Sequence, residues 1–221
     1  MSAGPKISIV TIVRNDAEGL LVTARSVLQQ DYDNIEWIVV DGASTDGTAA
    51  YIQNLAPCIA DFKSEADSGI YNAMNKGIDM VTGDWMFFLN ADDIFFDEHT
   101  PSDYVMSLQD GDDIVYADAL SREDRRIHQY RPEGEYWLGM TLDHQTACVR
   151  TEIDAADVGV YLHGADVILG LRAGYFRENL IIRSPVGNAV GHEEPRVMAS
   201  TTRQEFELLV DVLRRMCHRE Q

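Results

Sequence analysis

Four apolar segments in the first half of the chain each run straight into a polar cluster. Arg14-Asn15-Asp16 follows ISIVTIV, and Asp41-Gly42-Ala43-Ser44 follows IEWIVV. Glu65-Ala66-Asp67-Ser68-Gly69 and Asn90-Ala91-Asp92-Asp93 close the next two. In an open α/β sheet, ligands bind outside the carboxyl ends of the strands, so these clusters are where chemistry would sit. Carboxylates crowd them. Such an edge is a poor direct host for phosphate and a good host for Mg²⁺ or Mn²⁺, which favour oxygen ligands and bridge to phosphate oxygens. Each acid taken singly also suits a helix cap or a turn. Four such ends in one sheet favour a site.

The elements that must carry these clusters alternate. Residues 7–13 are an unbroken β-branched run, as expected for a buried strand of a mostly parallel sheet. Asn15 and Asp16 are good caps for a helix over 17–29, with Leu20, Leu21, Ala24, Val27 and Leu28 on one face. Strands are expected at 35–40, near 59–63 and at 84–89. Helices are expected at about 46–55, capped by Asp46, and at 69–81. This order argues for an open α/β sheet with helices on both faces. Beyond residue 95 the pattern loosens. A short helix is expected at 101–109, strands at 113–118, 126–131, 145–150 and 179–183, and helices at 165–173 and 203–219. The first two of these strands would pair around SREDRR. The expectation is one domain over 1–221, divided into parts 1–95 and 96–221.

The chain of 221 residues carries a formal charge of −19, and 45% of it is apolar, enough to bury a core. Residues 1–110 hold most of the acid excess. That balance argues against duplex nucleic acid and against tight binding to anionic lipid. No apolar stretch is long enough to span a bilayer, and MSAGPKISIV lacks a signal-peptide layout. Cys58, Cys148 and Cys217 are scattered and read as reduced thiols of a cytosolic protein. The expected location is cytoplasmic, with at most a peripheral contact at the inner face of the membrane. The helix at 203–219 is the candidate for that contact or for a homodimer.

The segments ISIVTIVRNDAEGLLVTARSVLQQDYDNIEWIVVDGASTDGT and SEADSGIYNAMNKGIDMVTGDWMFFLNADD together resemble the family-2 glycosyltransferases of the GT-A fold. HQTACVR and GADVILGLRAGY are shorter, later matches. The resemblance implies an open, mostly parallel sheet flanked by helices, with a smaller acceptor-side sheet. It also implies a sugar transferase, similar to those of bacterial polysaccharide biosynthesis, using a nucleotide-diphosphate donor.

Residue by residue, it implies the following. FLNADD matches the acidic metal motif, with Asn90 first and Asp92 second. Asp92 would ligate the Mn²⁺ or Mg²⁺ on the donor diphosphate, Asp93 would be a reserve ligand, and Asn90 would contact the donor's ribose or sugar. VVDGASTDG matches the loop that grips the base. Many members carry a second acid there that reads the base; this chain has Gly42, leaving Asp41 to contact the nucleoside. Thr11, Ile12 and Val13 would frame the base through backbone groups, and their side chains read as strand core. Arg14 is better placed for the ligand. Asp67 is the contact expected from the loop that closes over the nucleotide. Lys76 would reach a phosphate or sit solvated on its helix, and the solvated state is the usual one for lysine. Asp166 would be the catalytic base, since an acceptor hydroxyl needs a carboxylate within reach to take its proton. It equally suits the N-cap of a helix over 167–173. His144 and Gln145 match a pair that contacts donor sugar or acceptor, with a structural histidine as the other reading. His192 matches a late extra metal ligand only loosely. Tyr136, Trp137 and Trp85 could stack on a sugar, although Trp85 lies in a core strand and reads as packing.

The reading is a metal-dependent, inverting hexosyltransferase-type enzyme. It moves a sugar from a nucleotide-diphosphate sugar, with a UDP-sugar the first choice, to a glycan or lipid-linked acceptor. A dehydrogenase would need Gly-x-Gly-x-x-Gly after the first strand, and a P-loop would need Gly-Lys-Ser/Thr; neither is present. The alternative is a nucleotide-sugar-binding or scaffold module that keeps the fold without turnover. Asn90, Gly42 and the short stretch EIDAADVGVYLH on the acceptor side argue for it.

Overall fold

The computed structural model describes residues 4–112, 114–117, 119–120, 127–128, 145–151, 158–163, 166–171 and 182–183. The first half follows the expected alternation. It runs β1 (Ile7–Val13), α1 (Ala17–Leu28), β2 (Ile35–Asp41), α2 (Thr48–Leu55), β3 (Asp61–Ser64), α3 (Ile70–Ile78) and β4 (Trp85–Phe88). Then come α4 (Thr100–Ser107), β5 (Ile114–Tyr116), β6 (Ala119–Leu120), β7 (Ile127–His128) and β8 (Ala147–Arg150). The last described elements are β9 (Val158–His163), β10 (Asp166–Leu171) and β11 (Ile182–Arg183).

The main sheet has the order β11-β5-β8-β4-β1-β2-β3. β1 is central and parallel to both β2 and β4, with Val13 opposite Asp41. β3 extends β2 in parallel and ends with Ser64 opposite Asp41. β8 runs antiparallel between β4 and β5. Strands from beyond residue 95 therefore complete the same sheet. Two separate antiparallel pairs, β9–β10 and β6–β7, stand outside it.

The unbroken apolar run of β1 has a simple cause. Ile7, Ile9 and Val13 face a core shared with α1 and α2. Val10 and Ile12 face a second core shared with α3. Because strand side chains alternate, a sheet covered on both faces needs apolar residues at every step. Ser8 and Thr11 are the buried polar positions of this strand; Thr11 Oγ1 accepts from Trp37 Nε1 at 2.9 Å. Between the sheet and α4, Phe87 meets Phe95 and Tyr104 edge-on, at 5.8 and 4.8 Å between centroids. Tyr104 also donates to the Thr146 carbonyl at 2.6 Å, which ties α4 to the start of β8.

α1 starts where Asp16 accepts from Gly19 N at 2.8 Å. A Cβ at position 19 would stand 2.1 Å from that carboxylate, so the cap requires glycine there. α2 begins after Gly47, and Asp46 accepts from Thr48 N at 2.9 Å.

Some expectations are corrected. Residues 166–171 form strand β10, where a helix over 165–173 was expected, and Asp166 opens that strand opposite His163. Apolar runs of this length fit either element by pattern, and here pairing with β9 decides. Residues 127–128 pair with 119–120 and not with the strand at 114–116. Cys148 is a buried free thiol, pushed well above the usual thiol range by that burial, but Cys58 is disulfide-bonded. The helix expected at 203–219 lies outside the described residues. Among the described residues, no helix is long and apolar enough to cross a membrane.

Candidate functional site at the carboxyl edge of the sheet

Among the described residues, Asn15, Ala43 and Asp92 are the non-glycine positions with positive φ, at 52°, 56° and 71°. They lie in the loops after β1, β2 and β4 respectively. The left-handed conformation costs a non-glycine residue about 1–2 kcal/mol. Strain of this kind gathers where function demands a backbone shape. Here it is concentrated on the one edge where the polar clusters lie.

The loops of this edge are stitched together. Gly42 N donates to the Val13 carbonyl at 2.9 Å, and Ala91 N to the Ile12 carbonyl at 3.1 Å. Asn15 N donates to Ser44 Oγ at 2.7 Å, and Asn15 Oδ1 accepts from Thr45 N at 2.8 Å. Asp41 is fully buried. Its Oδ2 accepts from Ser64 Oγ at 2.6 Å, and its carboxylate also accepts from Ser44 N at 3.2 Å and from Ser44 Oγ. This carboxylate organises the loops after β2 and β3.

Gly42 is a place of close approach. A Cβ there would stand 2.5 Å from Asp67 Oδ2 and 3.1 Å from Arg14 Cδ. The structure thus brings Arg14 and Asp67, from two different loops, onto the backbone of position 42. Arg14 is exposed and Asp67 half-buried. Asp67 Oδ1 also accepts from Gly69 N at 3.1 Å, which shapes the entry to α3. Lys76 is not solvated as expected. Its side chain is only 13% exposed, donates to the Ala66 carbonyl at 2.9 Å and pairs with Glu65 at 3.0 Å. It braces the loop that carries Asp67. Hydrogen bonds from Lys76 and then Lys63 hold the Glu65 carboxyl below the usual range.

The fourth cluster is a β-turn. Asp93 N donates to the Asn90 carbonyl at 3.0 Å, and Asp92 sits third in the turn with its left-handed φ. Asp92 is exposed, whereas Asn90 and Asp93 are half-buried. Gln145 Nε2 donates to Asp93 Oδ2 at 3.3 Å, so the residue expected to face the substrates does reach the acidic turn.

Residues 8–180 match the family model described as Glycosyl transferase family 2. The chain belongs to that family. An uncharacterized glycosyltransferase of Mycobacterium tuberculosis is 44% identical over 96 residues, covering 43% of this chain and 37% of that protein. A PGL/p-HBAD biosynthesis glycosyltransferase of Mycobacterium bovis is 33% identical over 151 residues, 66% of this chain and 57% of that one. The chain therefore spans between about a third and three-fifths of these curated relatives. Among solved structures, a mannosyltransferase from Pyrobaculum calidifontis in complex with GDP-Man and Mn²⁺ superposes with a TM-score of 0.57 at 20% identity. That match covers 72% of this chain and 48% of the mannosyltransferase. S. aureus TarS in complex with UDP-GlcNAc gives 0.58 at 18%, over 71% of this chain and 48% of TarS. At such identities the likeness is one of fold, and the fold is GT-A.

In this family-2 chain, the donor set at the acidic turn fits a hard divalent cation. Among the described residues no three His, Cys, Asp or Glu side chains are grouped to hold a metal. Mg²⁺-like ions do not need such a cage: one or two carboxylates suffice when phosphate and water complete the shell. The exposed Asp92 and its neighbour Asp93 meet that requirement. Trp85 is buried in β4 under the Arg150 guanidinium, 4.7 Å from its ring centroid, and is packing as expected. His144, His192, Tyr136 and Trp137 lie outside the described residues. Asp166 is placed only as the first residue of β10.

Sequence reasoning named Ser44 only as part of its cluster and passed over Ser64, the two of which saturate Asp41, and Thr23, whose hydroxyl donates to the Asn90 and Asp93 carbonyls at 3.0 and 2.8 Å. A signal for Thr23 was present. It is a polar residue between Leu20, Ala24 and Val27, on the face that must be buried.

Proposed function

We propose that the chain transfers a sugar from a nucleotide-diphosphate sugar to a hydroxyl of a glycan or lipid-linked acceptor, with inversion and with Mn²⁺ or Mg²⁺ held by Asp92. The observation that carries this reading is the exposed Asp92 carboxylate, held in a left-handed turn at the strained carboxyl edge. The nucleoside would lie against the loops after β1, β2 and β3, where Arg14, Asp41 and Asp67 converge around Gly42. A divalent cation there would stabilise the charge that develops on the departing diphosphate. Asp93 would be the reserve ligand. Asn90 would hydrogen-bond the donor's ribose or sugar, with His144 and Gln145 nearer the transferred sugar.

Asp166 would take the proton of the acceptor hydroxyl as that oxygen attacks the anomeric carbon from the face opposite the leaving group. One displacement inverts the centre. The mannosyltransferase bound to GDP-Man and Mn²⁺ supports the donor class and the cation, and TarS bound to UDP-GlcNAc supports the donor class.

The test is a thermal-shift panel of UDP, GDP, dTDP and CMP, each with Mn²⁺ and with chelator. Binding at about 100 times Kd stabilises the native state by about 2.7 kcal/mol, a shift of several degrees. A metal-dependent shift with one diphosphate is expected. No shift with any of them would favour the scaffold reading. Asp166→Asn should keep that shift and lose turnover, and full turnover in this variant would remove Asp166 from the mechanism.

A further inference from the structure

One stripe of α1, with Gln30 just past its end, grips the acid-bearing segment by its backbone. Gly19, Thr23 and Ser26 recur at helical spacing on the side facing residues 90–97, and Gln30 extends the line beyond the helix. The Gly19 carbonyl accepts from Asp92 N at 3.1 Å. Thr23 Oγ1 donates to the carbonyls of Asn90 and Asp93, the two ends of the turn. Ser26 Oγ accepts from Phe95 N at 2.8 Å, and Gln30 Nε2 donates to the Asp97 carbonyl at 2.9 Å. None of these contacts involves the Asp92 side chain. They set the backbone on which it stands.

Thr23 is fully buried and is the one side chain of the stripe that touches both ends of the turn. A hydroxyl carries one proton, so the two carbonyls share it in a three-centre bond. That holds them together on the same side of the turn. The Asp93-to-Asn90 hydrogen bond closes the turn, and Asp92 is left with φ at 71°. Aspartate tolerates the left-handed region better than most residues, and the hydrogen bonds at both ends of the turn hold it there. Thr23 is placed to do that at the metal-motif residue.

We infer that Thr23 is a positioning residue for the metal site: its buried hydroxyl clamps both ends of the Asn90–Asp93 turn and so aims the Asp92 carboxylate at the donor diphosphate. This rests on the metal-binding reading of Asp92 proposed above. Thr23 touches neither metal nor donor. Its effect should therefore appear in how tightly the cation is held, and not in base preference.

The experiment measures the Mn²⁺ concentration that half-saturates binding of UDP and, in parallel, of GDP to the full chain. Thr23→Val keeps the shape and removes the hydroxyl. It should raise half-saturating Mn²⁺ about tenfold, as expected for loss of a buried hydrogen-bonding group. Thr23→Ser keeps the hydroxyl and should return the value to within about twofold of the native chain. Glu36→Gln, at the opposite edge of the sheet, lowers stability and should leave half-saturating Mn²⁺ unchanged. If Thr23→Val does not fold, Thr23→Ala carries the same test. Native-like Mn²⁺ dependence in a folded valine or alanine variant overturns the inference, as does a serine variant as weak as valine. Asp92→Ala separates the two levels. If it abolishes Mn²⁺ dependence while Thr23→Val and Thr23→Ala keep a native half-saturating Mn²⁺, only the positioning role falls. If Asp92→Ala leaves that dependence intact, the metal reading falls, and the role of Thr23 with it.

Discussion

The two edges of the parallel strands are built from similar residues and end in opposite states. At the amino edge, Glu36 on β2 lies opposite Ser8 on β1 and is only 7% exposed. It accepts from Ser8 Oγ, from Thr82 N at 2.7 Å and from Gly83 N at 3.0 Å, and it pairs with Lys6. Burial raises its pKa, but hydrogen bonds from Lys6, Ser8 and Thr82 outweigh that and hold it down to about 2. Every positive-φ non-glycine residue described lies in a loop at the carboxyl edge and none at this one.

At the carboxyl edge Asp41 is buried and saturated in the same manner, yet Asp92 beyond it is exposed on a strained turn. The difference teaches that a carboxylate at a strand end does not by itself mark a site. Glu36 and Asp41 hold loops together, because a buried charge persists only when its hydrogen bonds are made. Asp92 is exposed, on a turn where its backbone takes a left-handed φ of 71°.

Breaking the contrast at its sharpest point gives the largest effect. Asp92→Ala should lower turnover by about 100-fold or more and abolish Mn²⁺-dependent nucleotide binding. Its melting temperature should stay within about 2 °C of native, since an exposed side chain contributes little to stability. A large loss of stability with retained binding would place Asp92 with Glu36, as a structural acid.

Next is Gly42→Asp, which restores the second acid that many family members carry. Its Cβ would stand 2.5 Å from Asp67 Oδ2 and 3.1 Å from Arg14 Cδ, so these two side chains must turn away from position 42. Overpacking of this kind costs about 1–3 kcal/mol. Calorimetry should find nucleotide binding weakened about tenfold. Tighter binding would mean that these side chains turn away freely and that Gly42 is incidental.

Glu36→Gln sharpens the other side. It should cost on the order of 2 kcal/mol in chemical denaturation, allowing for solvent screening, and leave nucleotide binding intact. The sign with pH follows from a folded-state pKa of about 2 against an ordinary 4.5. The stabilisation is complete above about 4.5 and is lost as pH falls toward about 2. The native chain should show that loss in acid denaturation, and the glutamine variant should lack it.

Much of this architecture was legible in the order of residues. The β-branched run at 7–13, the Asp16 cap and the apolar face of α1 depend on neighbours within a few positions, and local pattern suffices to read them. The polar clusters at the strand ends were legible for the same reason, as was the family likeness they carry. The run from Asp166 to Leu171 was misread because a short apolar run serves as helix or strand, and pairing with residues 158–163 is not a local property.

Only the tertiary structure decided which acid does what. Glu36, Asp41 and Asp92 are alike as residues at the ends of apolar strands. Their burial and partners come from positions dozens of residues away, such as Thr82 for Glu36, Ser64 for Asp41 and Thr23 for the turn of Asp92. Local sequence sets backbone preference and amphipathic pattern. Whether a carboxylate is satisfied inside the protein or presented outside it depends on which distant donors the fold brings within 3 Å.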